Sequence, residues 1–189
     1  MPFLKVMATQ RKSLAEFLDH PNRDSHRLEL FDGEIYQKSP LNPEHLALVS
    51  KLGATLDEFG FAGVEARILM DGGPGWEACS PIPDLVFYRV RPQLRGDWPK
   101  SPPELVVDVL PPRRNRLFTR GRVGAYLAGG TGAVWVIDIE RHCVDAYDKS
   151  GRRTLLGAER MTSPSVPGLA VPVSTLFLEM DRKTLARVA

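Results

Sequence analysis

Only two cysteines occur in this chain of 189 residues, Cys79 and Cys143, and they stand in unlike contexts. Neither they nor the 4 histidines fall at zinc-ligand spacing, which excludes a structural zinc module. Free thiols of this kind suit a reducing cytoplasm. No apolar run approaches the length of a membrane span, and Met1 to Gln10 lack the apolar centre of a signal peptide, so a cytoplasmic protein with no membrane partner is expected. Charge of one sign is also missing. The formal net charge is +2, so no global attraction to polyanions operates. There is no repeat and no low-complexity tract. No serine sits in a nucleophile elbow. Gly129-Gly130-Thr131-Gly132 follows a helix rather than a strand, the wrong order for a phosphate-cradling loop.

What remains is 43% hydrophobic and 25% charged, the balance of one globular domain. Residues 1–189 are therefore expected to form a single domain, with its core between about 14 and 178. Ser13 to Asp19 reads as a short helix closed by His20-Pro21. Asp32-Gly33 between Leu28-Glu29-Leu30 and Glu34-Ile35-Tyr36 predicts a β-hairpin. Asn42 caps a helix with Pro43 at its first position. His45, Leu48, Val49, Leu52, Leu56 and Phe59 form its apolar stripe. Strands are predicted over Gly63–Met70, Ile82–Arg89 and Glu104–Leu110, the last ended by Pro111-Pro112. A helix follows over Thr119–Leu127, then a strand pair, Ala133–Ile139 and His142–Tyr147. The tail reads as mostly irregular up to Val173–Leu178. This order implies an α/β fold with a central mixed sheet flanked by helices.

Two acids interrupt otherwise apolar strands: Asp84 in Pro83-Asp84-Leu85-Val86-Phe87-Tyr88, and Asp108 in Leu105-Val106-Val107-Asp108-Val109-Leu110. A buried carboxylate is costly unless it is paired, protonated or bound to metal. One reading is a site for a hard divalent ion, which takes oxygen ligands. The other places Asp84 at the surface end of its strand and leaves Asp108 as a lone salt-bridge partner. Glu29 is either a third carboxylate or a solvent-facing strand residue. His45 either packs in the core or leans into a polar site. Arg113, Arg114, Arg116, Arg120 and Arg122 fall within ten positions. They are either a phosphate clamp or a solvated loop and helix face.

In order along the chain, these pieces resemble the Uma-two family of restriction endonuclease-like proteins, a branch of the PD-(D/E)XK nuclease superfamily. The likeness runs through Leu28-Glu29-Leu30-Phe31-Asp32-Gly33-Glu34-Ile35, Pro43-Glu44-His45, Pro83-Asp84-Leu85-Val86 and Pro103 to Leu110. It continues through Tyr126, Val134-Trp135-Val136-Ile137-Asp138 and Val166-Pro167-Gly168-Leu169. The resemblance implies a bacterial, Mg²⁺- or Mn²⁺-dependent endonuclease acting on DNA, expected as a homodimer. Asp84 and Asp108 would hold the metal with help from Glu29, and His45 would support them. The arginine cluster would contact substrate. Three positions depart from the pattern: Asp108 where glutamate is usual, Pro111-Pro112 in place of serine-proline, and Arg122 where a helix lysine is expected. These departures keep open an alternative, a catalytically impaired member acting as a nucleic-acid-binding or dimeric interaction module.

Overall fold

The computed structural model describes residues 3–5, 11–38, 42–71, 77–99, 101–110 and 116–178. Pro111-Pro112, Arg113, Arg114 and residues 72–76 of the glycine-rich loop lie outside them. In chain order the elements are β1 (Phe3–Lys5), α1 (Leu14–Leu18), β2 (Leu28–Phe31), β3 (Glu34–Lys38) and α2 (Pro43–Asp57). Then come β4 (Phe61–Val64), β5 (Leu85–Tyr88), β6 (Leu94–Arg95), β7 (Trp98–Pro99) and β8 (Leu105–Leu110). After α3 (Arg116–Ala128) follow β9 (Ala133–Asp138), β10 (Cys143–Asp148), β11 (Gly151–Leu156), β12 (Arg160–Ser163) and β13 (Val166–Pro172). A last helical turn, α4, covers residues 174–178.

The local signals act as their chemistry dictates. Ser13 and Glu16 form a reciprocal capping box at α1, satisfying two otherwise orphaned N–H groups. The Asn42 side chain accepts the His45 N–H at 2.7 Å at the start of α2. Asp32 and Gly33 both take positive φ, 47° and 71°, the conformation that a two-residue hairpin demands.

The central sheet has six strands in the order β11-β10-β9-β8-β5-β4. Only the β8–β9 pair is parallel, with α3 as its crossover; the other four pairs are antiparallel. Strand alternation sorts the side chains into two layers. Leu85, Phe87, Val107, Trp135 and Ile137 pack with Leu48, Val49, Leu52 and Leu56 of α2. Val86, Val106, Val134 and Val136 pack with Val123 and Tyr126 of α3 and Phe31 of β2. A separate three-stranded sheet, β1-β3-β2, carries the Asp32-Gly33 hairpin. It is stapled on by a backbone bridge between Leu30 and Ser80. Buried Arg67 adds bonds to Leu28 O at 2.8 Å and Ser80 Oγ at 3.1 Å.

Two expectations need correction. The strand predicted over Gly63–Met70 ends at Val64, because Glu65 turns the chain with a φ of 49°; only an isolated bridge, Met70 to Cys79, continues it. The tail is not irregular. It builds the edge strand β11 and the β12–β13 ribbon, whose Met161, Val166 and Leu169 complete the α2 layer of the core.

Leu52 is 1% exposed at the centre of the α2 contact. Truncation to alanine is expected to cost about 2–5 kcal/mol, read as a lower urea midpoint at unchanged m-value. An unmoved midpoint would show that α2 does not anchor the sheet.

Candidate active site

β5 and β8 pair through Leu85↔Val107, Val86↔Val106 and Phe87↔Leu105. One step further along this register Asp84 falls opposite Asp108, where the ladder stops. It stops for a visible reason. The Asp84 Oδ2 atom accepts the Val109 N–H at 2.6 Å, so a side chain takes the donor that a strand backbone would otherwise use. Asp84 thus lies just before β5 rather than within it, yet it is only 3% exposed.

Two basic side chains converge on Asp84. Lys38, at the end of β3, puts Nζ 2.6 Å from Oδ1 and donates also to Ile82 O at 2.6 Å. His45, in the first turn of α2, holds Nε2 at 3.1 Å from Oδ2, an electrostatic approach rather than an aligned hydrogen bond. Burial pushes the Asp84 carboxyl up, but Lys38 and His45 outweigh it and hold it well below the usual carboxylate range.

Asp108 turns the other way, to α3. Arg122 Nε lies 2.9 Å from Asp108 Oδ2, and Nη2 lies 3.4 Å from Oδ1. The same guanidinium reaches Glu29 Oε2 through Nη1 at 2.9 Å and the Tyr126 hydroxyl through Nη2 at 2.7 Å. Tyr126 in turn donates to Asp108 Oδ2 at 3.2 Å. Phe31 lies under the guanidinium, 4.7 Å from ring centre to Cζ, a cation–π arrangement. Glu29 is fully buried, and its Oε1 accepts the Ile82 N–H at 2.6 Å. Burial pulls the Arg122 pKa down, but Asp108 and Glu29 reverse this, so it stays firmly cationic.

The structure therefore gathers Glu29, His45, Asp84, Asp108 and Arg122 at one corner, and it rejects the solvent-facing reading of Glu29. Arg120 is exposed on α3, and Arg116 opens that helix. The sequence reading missed Lys38. Its local text, Tyr36-Gln37-Lys38, marks a hairpin strand and nothing more. Its partner Asp84 is 46 residues away.

A hard divalent ion would find suitable atoms here in kind, since Asp84, Asp108 and Glu29 all offer oxygen. The arrangement does not suit one. Each of the six carboxylate oxygens already faces an N–H, ammonium or guanidinium donor. The hydrogen bonds of Asp84 and Asp108 run, among the described residues, to different groups. Among the described residues, no group of three acidic, histidine or cysteine side chains is placed to hold a metal ion. Arg122 stands between the oxygens that such an ion would need.

A model of the Uma2 family, described as putative restriction endonuclease, matches residues 14–174. The chain belongs to this family. The crystal structure of a putative nuclease of DUF820 from Anabaena variabilis superposes with a TM-score of 0.74 at 20% identity, over 88% of this chain and 97% of that one. That likeness confirms the single α/β fold with a mixed central sheet. No curated protein matches. No helix among the described residues is long and apolar enough to cross a membrane.

Replacing Asp84 by asparagine would leave Lys38, 5% exposed, with only the longer contact to Glu65 at 3.4 Å as counter-charge, at an expected cost of about 3 kcal/mol at neutral pH. A depressed carboxylate contributes stability that is present above its unfolded value near 3.9 and lost as pH falls through the folded one. The stability gap between wild type and Asp84→Asn should thus narrow below about pH 4. A gap constant from pH 7 to pH 3 would contradict the Lys38–Asp84 pair.

Proposed function

We propose that this Uma2 protein is an endonuclease that hydrolyses DNA phosphodiester bonds at the corner where β5 and β8 part. The observation that supports this reading is the convergence of Glu29, Asp84, Asp108, Lys38 and Arg122 there. Buried charge at such density is kept for chemistry more often than for stability.

In this reading, phosphate reaches the corner past Asp108. That side chain keeps 13% of its surface exposed, whereas Glu29 keeps none. Arg122 exchanges its contact with Asp108 for the phosphate, whose oxygens suit its forked donors, and stabilises the charge that builds up in the transition state. Lys38 and His45 hold Asp84 ionised, so that it orients the attacking water by accepting a hydrogen bond from it. The water oxygen bonds to phosphorus, one P–O ester bond breaks, and the departing oxygen leaves as a hydroxyl. Nucleases of the restriction type use a divalent ion, and Mg²⁺ or Mn²⁺ would supply charge neutralisation and a more acidic water. Because the carboxylates here are already engaged, no step is assigned to it.

A second reading is favoured by that same engagement. With all three carboxylates tied up, the domain would bind DNA, or pair with a second copy, without cutting.

Incubation of supercoiled plasmid with Mn²⁺ or Mg²⁺ separates the two. Wild-type protein should nick it, and Asp84→Asn should lower the rate by roughly a hundredfold or more. Equal nicking by both would reject the site. No nicking by wild type, with DNA binding retained, would establish the second reading.

A further inference from the structure

The α3 face of the central sheet is only half covered. α3 lies over β8 and β9, while towards β10 and β11 an open, shallow cleft remains. Its position follows from register. Asp108 pairs with Val136, Val136 with Asp145, and Asp145 with Thr154. These four residues form one row across the sheet, on one face. Val136 and Asp145 line the cleft. Neighbouring strands lie about 4.8 Å apart, so Asp145 is roughly 10 Å from Asp108. That is about three nucleotides along a DNA strand, whose axial rise is about 3.4 Å each. On α3, Thr119 lines the cleft one turn before Arg122.

The lining is cationic. Arg120 reaches it from α3, Arg141 from the β9–β10 turn and Arg152 from β11, against the single acid Asp145. Arg120 is exposed and makes no ion pair among the described residues. Arg141 approaches Asp138 only at 3.9 Å. Arg152 is oriented rather than consumed: its Nη2 donates to both Asp145 oxygens at 2.9 and 2.8 Å, and Tyr147 lies beneath the guanidinium at 5.8 Å. Thr154 Oγ1 donates to Asp145 at 2.7 Å and braces the carboxylate. Three arginines against one aspartate leave the groove lining positive, and Val136 of that lining is the row neighbour of Asp108.

We propose that this groove binds the sugar-phosphate backbone of the DNA strand beside the scissile phosphate, with Arg120, Arg141 and Arg152 as its phosphate contacts. The assignment rests on the DNA reading above. It adds a track built from β10 and β11 that the cluster at Arg113 to Arg122 does not provide.

The test is fluorescence anisotropy of a labelled 20-base-pair duplex in EDTA, between about 50 and 200 mM salt. Arg120→Gln with Arg141→Gln should weaken binding about tenfold and reduce the slope of log K against log salt by about two. Arg152→Gln should lower the slope further, with its melting temperature checked because it unpairs Asp145. Arg91→Gln, at the β4–β5 end of the sheet, should match wild type. Double-variant binding and slope equal to those of wild type would overturn the groove while leaving the DNA reading intact. A wild type that binds no duplex at 50 mM salt would overturn both. Tighter binding of an RNA duplex of the same sequence would overturn the assignment to DNA.

Discussion

The guanidinium of Arg122 is the piece on which the corner depends. It joins by charge three parts of the molecule that also share an apolar layer: Glu29 of the small sheet, Asp108 of a central strand, and α3, from which it extends. Glu29 and Arg122 are 93 residues apart. Without that cation two carboxylates, one of them wholly buried, would face each other uncompensated, at a cost of several kcal/mol. The flat fork answers both acids and the Tyr126 hydroxyl at once, and Phe31 fills the space beneath it.

Asp84 is compensated independently, by Lys38 from β3, with His45 of α2 beside it. The corner is therefore two adjacent ion-pair networks that meet where the β5–β8 ladder ends. Val109 N–H belongs to the boundary between them, because a carboxylate rather than a strand backbone accepts it. This explains how apolar strands tolerate two acids: each acid has its own cation, and neither faces hydrocarbon.

Much of this was legible in the sequence, and what was not has physical causes. The Asn42 cap, the α2 stripe and the Asp32-Gly33 hairpin are local signals, and each formed the predicted element. The acids in apolar strands were visible because burial makes a charge anomalous. Lys38 was invisible because its burial depends on Asp84, which only the tertiary fold brings near. The edge strand β11 was missed because Gly151, Arg152, Arg153 and Thr154 are all exposed, leaving no alternation to read. β4 was read too long because nothing in Val64-Glu65-Ala66 announces the positive φ that ends it.

The sequence showed the departures at positions 108 and 122 as separate anomalies against the family resemblance, which implies glutamate and lysine. The structure makes them one. Asp108 and Arg122 are direct partners at 2.9 Å, and their size changes oppose each other: the acid is one methylene shorter and the base is longer. A lysine is a point charge and engages one oxygen group at a time, whereas the arginine fork spans Glu29 and Asp108 together. Arg122 here is a cross-link between the two sheets. That cross-link also occupies the carboxylate oxygens that a metal would use. In the proposed reading stability and hydrolysis would compete for the same atoms, and cleavage at this corner would require Arg122 to let go of Asp108.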